Sequence, residues 1–263
     1  MPLWNLPNGW KNNFYKSGRQ SLPLFLGDLS VKNEIIREKL FALRDEKNAA
    51  FCAKLIPNIK PERVLGARLP ALRKLAGELA GTAEAEAFLQ SLPHEYLEED
   101  HLHSFLIAGE KDFDTCIGKI EAFLPFVDNW ATCDSLRPKC FAKHKKALLP
   151  YIEKWLQSEH LYTVRFAVGM LMCHYLDADF DEKYLQWVAA LKSEEYYLNM
   201  MRAWYFATAL AKQYKSTLPL FESKTLDTFT HNKAIQKARE SLRVPPEHKA
   251  YLKSLKIKKS QII

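Results

Sequence analysis

Two indoles, one carboxylate and one guanidinium stand along this chain at intervals that could bring them onto a single wall. Trp130 and Asp134 lie four residues apart in the stretch Val127-Asp128-Asn129-Trp130-Ala131-Thr132-Cys133-Asp134. In a helix, side chains so spaced leave one face with Cβ atoms roughly 5–6 Å apart. Arg165 follows Asp134 by 31 residues, and Trp204 follows Arg165 by 39. Helical repeats of the HEAT type run to about 40–47 residues, with shorter units common, so equivalent helices of successive repeats would align these side chains in a row. A carboxylate, a cation and two ring faces on one concave wall suit a flat, positively charged transition state.

The elements needed to position them are helices. Apolar residues recur at helical rather than alternating spacing in nearly every long segment. Residues 31–56 read as one helix or two, with Ile35, Ile36, Leu40, Leu43, Phe51 and Leu55 as the apolar set. Pro70 stands where a helix would start and Gly81 where it would stop. Thr82 is an N-cap for 83–92, and Asp112 for 113–127, with another helix over 94–108 between them. Asn129 would cap a short helix carrying Trp130 and Asp134, which Pro138 would end within two turns. Further helices are predicted over 145–157, 161–176, 181–192, 196–214 and 231–243, with a basic one after Pro245-Pro246. Short helices, brief connectors and no strand-rich block give the expected fold class: all-α, a HEAT-like α-helical repeat solenoid over residues 31–263. Residues 1–30, with Trp4, Trp10, Phe14, Tyr15 and Phe25 among Asn, Gly, Pro and basic residues, read as an N-terminal extension, partly disordered or packed on the first helices.

Composition narrows the partners. The 263 residues are 48% hydrophobic and 26% charged, which is ordinary for a globular chain. No stretch of about 18 apolar residues exists and no secretory signal is evident, so no membrane association is expected. Five scattered cysteines without a Cys-x-x-Cys suggest reduced thiols and a cytoplasmic location. The net charge of +7 arises unevenly: from His231 onward there are nine Lys or Arg and two Glu, while the first 230 residues carry 29 of each sign. A second basic run, Arg137, Lys139, Lys143, Lys145 and Lys146, holds no acid and begins just after Asp134. Neutralising phosphates with such residues releases counterions, so both runs point to nucleic acid.

Four segments carry a resemblance to a known family. The Trp130-x-x-x-Asp134 pair is one. Leu65-Gly66-Ala67-Arg68-Leu69-Pro70-Ala71-Leu72-Arg73 resembles an early Leu-Gly-x-x-x-Pro-x-x-Arg signature. Tyr197–Trp204 resembles the helix bearing a second Trp, and Asn232-Lys233-Ala234-Ile235-Gln236-Lys237 a late Arg/Lys-Ala-Ile segment. In this order they resemble the DNA alkylation repair family of HEAT-like glycosylases over roughly residues 31–256. The resemblance implies excision of cationic N3- or N7-alkylated purines from duplex DNA, by stabilising an oxocarbenium-like sugar without a deep base-flipping pocket. It implies Asp134, Trp130 and Trp204 as catalytic residues. Arg165 would grip a flanking phosphate, and Arg137, Lys139, Lys143, Lys233 and Lys237 would bind DNA. No metal and no cofactor are expected. The partner would be double-stranded DNA, alkylated or distorted, met by a monomer that is nucleoid-associated when bound.

Residue by residue, plainer readings stand beside these. Asp134 could be a solvated helix residue, Arg165 could pair with an acid on a neighbouring helix, and Trp204 could be core. Trp4, Trp10, Trp155 and Trp187 read as structural. Two other functions also fit a helical solenoid: a non-catalytic, structure-specific DNA binder, and a protein–protein scaffold. A binder needs only the basic residues, so the presence of both Trp130 and Asp134 favours catalysis. In His94-Glu95-Tyr96-Leu97-Glu98-Glu99-Asp100-His101-Leu102-His103, the offset of two between His101 and His103 points them about 200° apart on a helix. A solvated acidic face is expected there rather than a metal site. No Walker loop, dinucleotide fingerprint or Gly-x-Ser-x-Gly occurs, so phosphoryl transfer, hydride transfer and serine hydrolysis have no support.

Overall fold

The computed structural model describes residues 33–258, so the expected extension over 1–30 lies outside it. Its described residues form helices and no strands, an all-α, repeat solenoid-like fold. Helix α1 covers residues 33–41 and α2 covers Glu46–Leu55. Then follow α3 (Leu69–Leu79), α4 (Ala83–Gln90), α5 (Leu97–Ala108), α6 (Phe113–Phe123) and α7 (Trp130–Ser135). Beyond them lie α8 (Lys145–Leu156), α9 (Leu161–His174), α10 (Glu182–Ala190), α11 (Tyr196–Lys212), α12 (Tyr214–Glu222), α13 (Thr228–Glu240) and α14 (Pro246–Ser254).

From α3 onward the chain alternates between two layers. The odd-numbered helices pack in succession, α3 on α5, α5 on α7, α7 on α9, α9 on α11 and α11 on α13. Even-numbered helices pack onto that row from outside, as α4 and α6 do on α5 and α10 and α12 on α11. Outer helices hide one apolar face, while α5 and α9 inside the row are buried nearly all round, so the row propagates by stacking. In α3 the buried set Leu72, Leu75, Ala76 and Leu79 is that stripe.

Local chemistry sets the helix ends. Thr82, Asp112 and Asn129 each accept a backbone N–H at the third helical position, as their sequence positions suggested. Such caps contribute about 1 kcal/mol apiece. The segment predicted as one helix or two forms two over residues 33–56. The turn before α3 needs Gly66, whose φ is +82° and whose added Cβ would lie 2.1 Å from the Asp45 carbonyl. Helix α12, which holds Pro219 inside it, was not anticipated.

The acidic segment on α5 is not a solvated face. Glu98, Glu99, Asp100, His101 and His103 are all buried, because α3, α4, α6 and α7 surround this helix. The carboxylates are occupied. Glu98 accepts the Leu65 and Gly66 N–H groups at 2.9 and 2.7 Å, and Glu99 accepts those of Glu95 and Tyr96. Asp100 lies 3.5 Å from Arg63. His94 Nε2 and His103 Nδ1 are 2.8 Å apart and share one hydrogen bond. Burial pulls the His94 and His101 imidazoles down to about 4 and His103 well below its ordinary value. The same burial pushes the Glu98 and Asp100 carboxyls up.

Candidate active site

The short helix α7 is fixed at both ends. Asn129, fully buried, accepts the Thr132 N–H at 2.8 Å and donates to the Thr132 hydroxyl. Leu136 ends the helix two residues before Pro138. Trp130 at its first position is half-buried and donates its indole N–H to the Leu55 carbonyl at 3.1 Å. That bond satisfies one of the open carbonyls at the end of α2 and sets the plane of the ring. Arg63 adds a 2.8 Å bond to Asp128, tying the approach to α7 to the preceding turn.

Asp134 meets Arg165 in a two-pronged pair. Arg165 Nε donates to one carboxylate oxygen at 3.0 Å and Nη2 to the other at 2.7 Å, while Nη1 donates to the Tyr197 carbonyl on α11. The Arg165 side chain is 6% exposed and that of Asp134 18%. Burial alone would pull the guanidinium down, but its bonds to Asp134 outweigh that and hold it above its ordinary value. Arg165 was expected to grip a phosphate. It is instead spent on the carboxylate, because the α7–α9 contact buries it facing the nearest acid. Three helices of the row, α7, α9 and α11, thereby fix one carboxylate. Each carboxylate oxygen retains a second lone pair, so Asp134 can still accept from a water or a sugar.

A cleft of about 870 Å³ runs from Trp130 and Asp134 across α5 to α2 and α3. Its acids are already engaged, Glu98 by backbone N–H groups and Asp134 by Arg165. Of its cations, Arg68 pairs with Asp45 at 3.0 Å, but Arg73, Arg137 and Lys139 meet no carboxylate among the described residues. Arg137 lies across α9, donating to the Asp134 carbonyl at 3.0 Å and to the exposed Cys173 thiol at 3.2 Å. Gly169 makes room for it, since a Cβ there would meet the guanidinium and the Met201 methyl at 3.2 Å. The cleft therefore carries excess positive charge beside a fixed carboxylate.

The remaining expected residues lie along the same row or beside it. Trp204 is 42% exposed, so it is not a core residue, although it does not line the cleft. It is two turns along α11 from Tyr197, whose carbonyl receives Arg165, and so about 10 Å further along one helix face. Lys143 is exposed and outside the cleft. Lys145 of the same basic run pairs with Asp179 at 2.6 Å. Lys233 and Lys237 sit on α13, where Lys233 donates to Gln236. The basic C-terminal stretch is not a loose tail as far as residue 258, because Asn232 exchanges two hydrogen bonds with Ile257. Trp155 is buried, as a structural residue should be. Sequence reasoning missed Arg73 as a cleft residue, though it closes the Leu65–Arg73 motif.

Among the described residues no group of three or more His, Cys, Asp or Glu side chains is placed to hold a metal ion, and no helix is long and apolar enough to cross a membrane. Replacing Arg165 by Lys should test the clamp. The charge stays, but one prong is lost, so thermal or denaturant unfolding should show a loss of about 1.5–3 kcal/mol. A wild-type midpoint for Arg165→Lys would mean the fork is not holding α7 to α9.

Stacked helices with an unneutralised basic cleft define a helical-repeat protein whose inner face attracts anions. The family model described as DNA alkylation repair enzyme matches residues 36–237. The chain belongs to that family, which makes it an enzyme of DNA repair with DNA as its partner. No curated protein matches the chain.

Proposed function

We propose that this enzyme is a DNA glycosylase releasing cationic N3- or N7-alkylated purines from duplex DNA. The observation carrying the reading is the Asp134 carboxylate, fixed by Arg165 next to Trp130 at the edge of a cation-lined cleft. An alkylated purine already bears a positive charge. When its bond to the sugar breaks, the electron pair goes to the base and neutralises it, so no general acid is needed. The sugar left behind becomes oxocarbenium-like. Asp134 stabilises that cation and orients the water that adds to the anomeric carbon, its remaining lone pairs serving this role. Trp130 and Trp204 flank the sugar, each ring face contributing about 0.5–2 kcal/mol toward a cation. Arg137, Lys139 and Lys143 meet phosphates near the site, and Lys233 and Lys237 meet them further along. The protein acts as a monomer of HEAT-like units in the cytoplasm.

A second reading, binding of distorted duplex without excision, draws on one feature: Arg165 already engages both oxygens of Asp134 and offsets its charge. Incubating the protein with methylated duplex DNA and assaying free methylpurine separates the two. Released base supports the glycosylase. Tight duplex binding with no release leaves the binder.

A further inference from the structure

We infer that Arg73 is a phosphate-binding residue, forming with Arg137 and Lys139 a grip that holds DNA from both walls of the cleft. The inference rests on the DNA reading above and adds a second contact region to it. Arg73 is on α3, Arg137 and Lys139 follow α7, and α5 forms the floor between them. Packed helices are spaced about 8–10 Å apart, so α3 and α7 lie roughly 16–20 Å apart at their axes. Arg73 therefore meets a different phosphate from the one beside Asp134.

Three features single out Arg73. Its guanidinium lies 4.7 Å over the Phe105 ring, which fixes its plane while leaving the N–H edges outside the stack. Stacking of this kind preorganises the fork for a phosphate. It makes no ion pair among the described residues, whereas Lys119, Lys154 and Lys212 on other faces each find a carboxylate within 3.1 Å. Nor can the cleft supply an acid, because Glu98 and Asp134 are both engaged. A cation stacked on Phe105 and uncompensated among the described residues, on the cleft wall across from the proposed reaction site, is placed for an anion from outside.

The test uses full-length Arg73→Gln and Arg73→Lys with a labelled undamaged duplex, measuring affinity at several salt concentrations. Arg73→Gln should weaken binding roughly five- to tenfold at 0.1 M salt and reduce the salt slope by about 1. Arg73→Lys should keep the wild-type slope, and both should melt with the wild type. If wild type binds and Arg73→Gln matches its affinity and slope, Arg73 is not a phosphate contact, while the DNA reading stands. If both variants bind weakly and melt early, Arg73 serves only packing. If wild type binds no duplex, the DNA reading itself fails and this inference with it.

Discussion

Asp134→Asn should slow methylpurine release by about 10²–10³-fold, the usual cost of losing one preorganised group that stabilises transition-state charge. Duplex affinity should stay equal or rise, since a carboxylate near phosphates repels them. The Arg165 pairing adds a second consequence. Asn keeps one acceptor for the guanidinium but removes its counter-charge, and breaking a buried pair typically costs about 3–5 kcal/mol. The rate must therefore be read well below the variant's melting temperature. Asp134→Asn combined with Arg165→Met removes both charges. That double variant should regain much of the stability without regaining the rate, which separates chemistry from folding. Trp130→Ala and Trp204→Ala should fall between wild type and Asp134→Asn. A wild type that releases methylpurine, matched in rate by Asp134→Asn, would sink the mechanism.

Removing the buried His101 imidazole should make this protein more resistant to acid. His94 and His101 are held neutral by burial, with their values pulled from 6.5 to about 4. A base depressed in the folded state binds fewer protons there than in the unfolded chain. The stability these two imidazoles contribute is therefore complete above about pH 6.5 and is lost as pH falls toward 4. The His101 imidazole is worth roughly 3 kcal/mol over that window, against a total of about 5–15 kcal/mol for a domain. Glu98 and Asp100 oppose the trend: their raised carboxyls take up protons early, which relieves the buried charge as pH falls. Comparing wild type with His101→Phe cancels that offset. The ring stays, beside Phe105 as before, and the titrating group goes. From pH 7 to 4 the variant should gain roughly 3 kcal/mol relative to wild type. Parallel stability curves for the two proteins would show that His101 is not held neutral.

Features that depend on short-range geometry were legible along the chain. A hydroxyl, carboxylate or amide three residues before a backbone N–H makes a cap wherever a helix can form, so Thr82, Asp112 and Asn129 could be read directly. The offset of four between Trp130 and Asp134 fixed their common face for the same reason. The succession of odd-numbered helices that brings Arg165 of α9 onto Asp134 of α7 was legible in the spacing too. How those side chains are used follows from packing between distant segments. Whether Arg165 faces DNA or an acid depends on what α7 and α11 place beside it, 31 and 32 residues away. Whether the charges of α5 are solvated depends on four other helices, and the chain around them reads as an ordinary polar surface. Arg73 gave no local sign of standing without a partner. Desolvation and charge pairing are set by neighbours distant in sequence, so the row could be read from spacing, but its electrostatics only from the packed molecule.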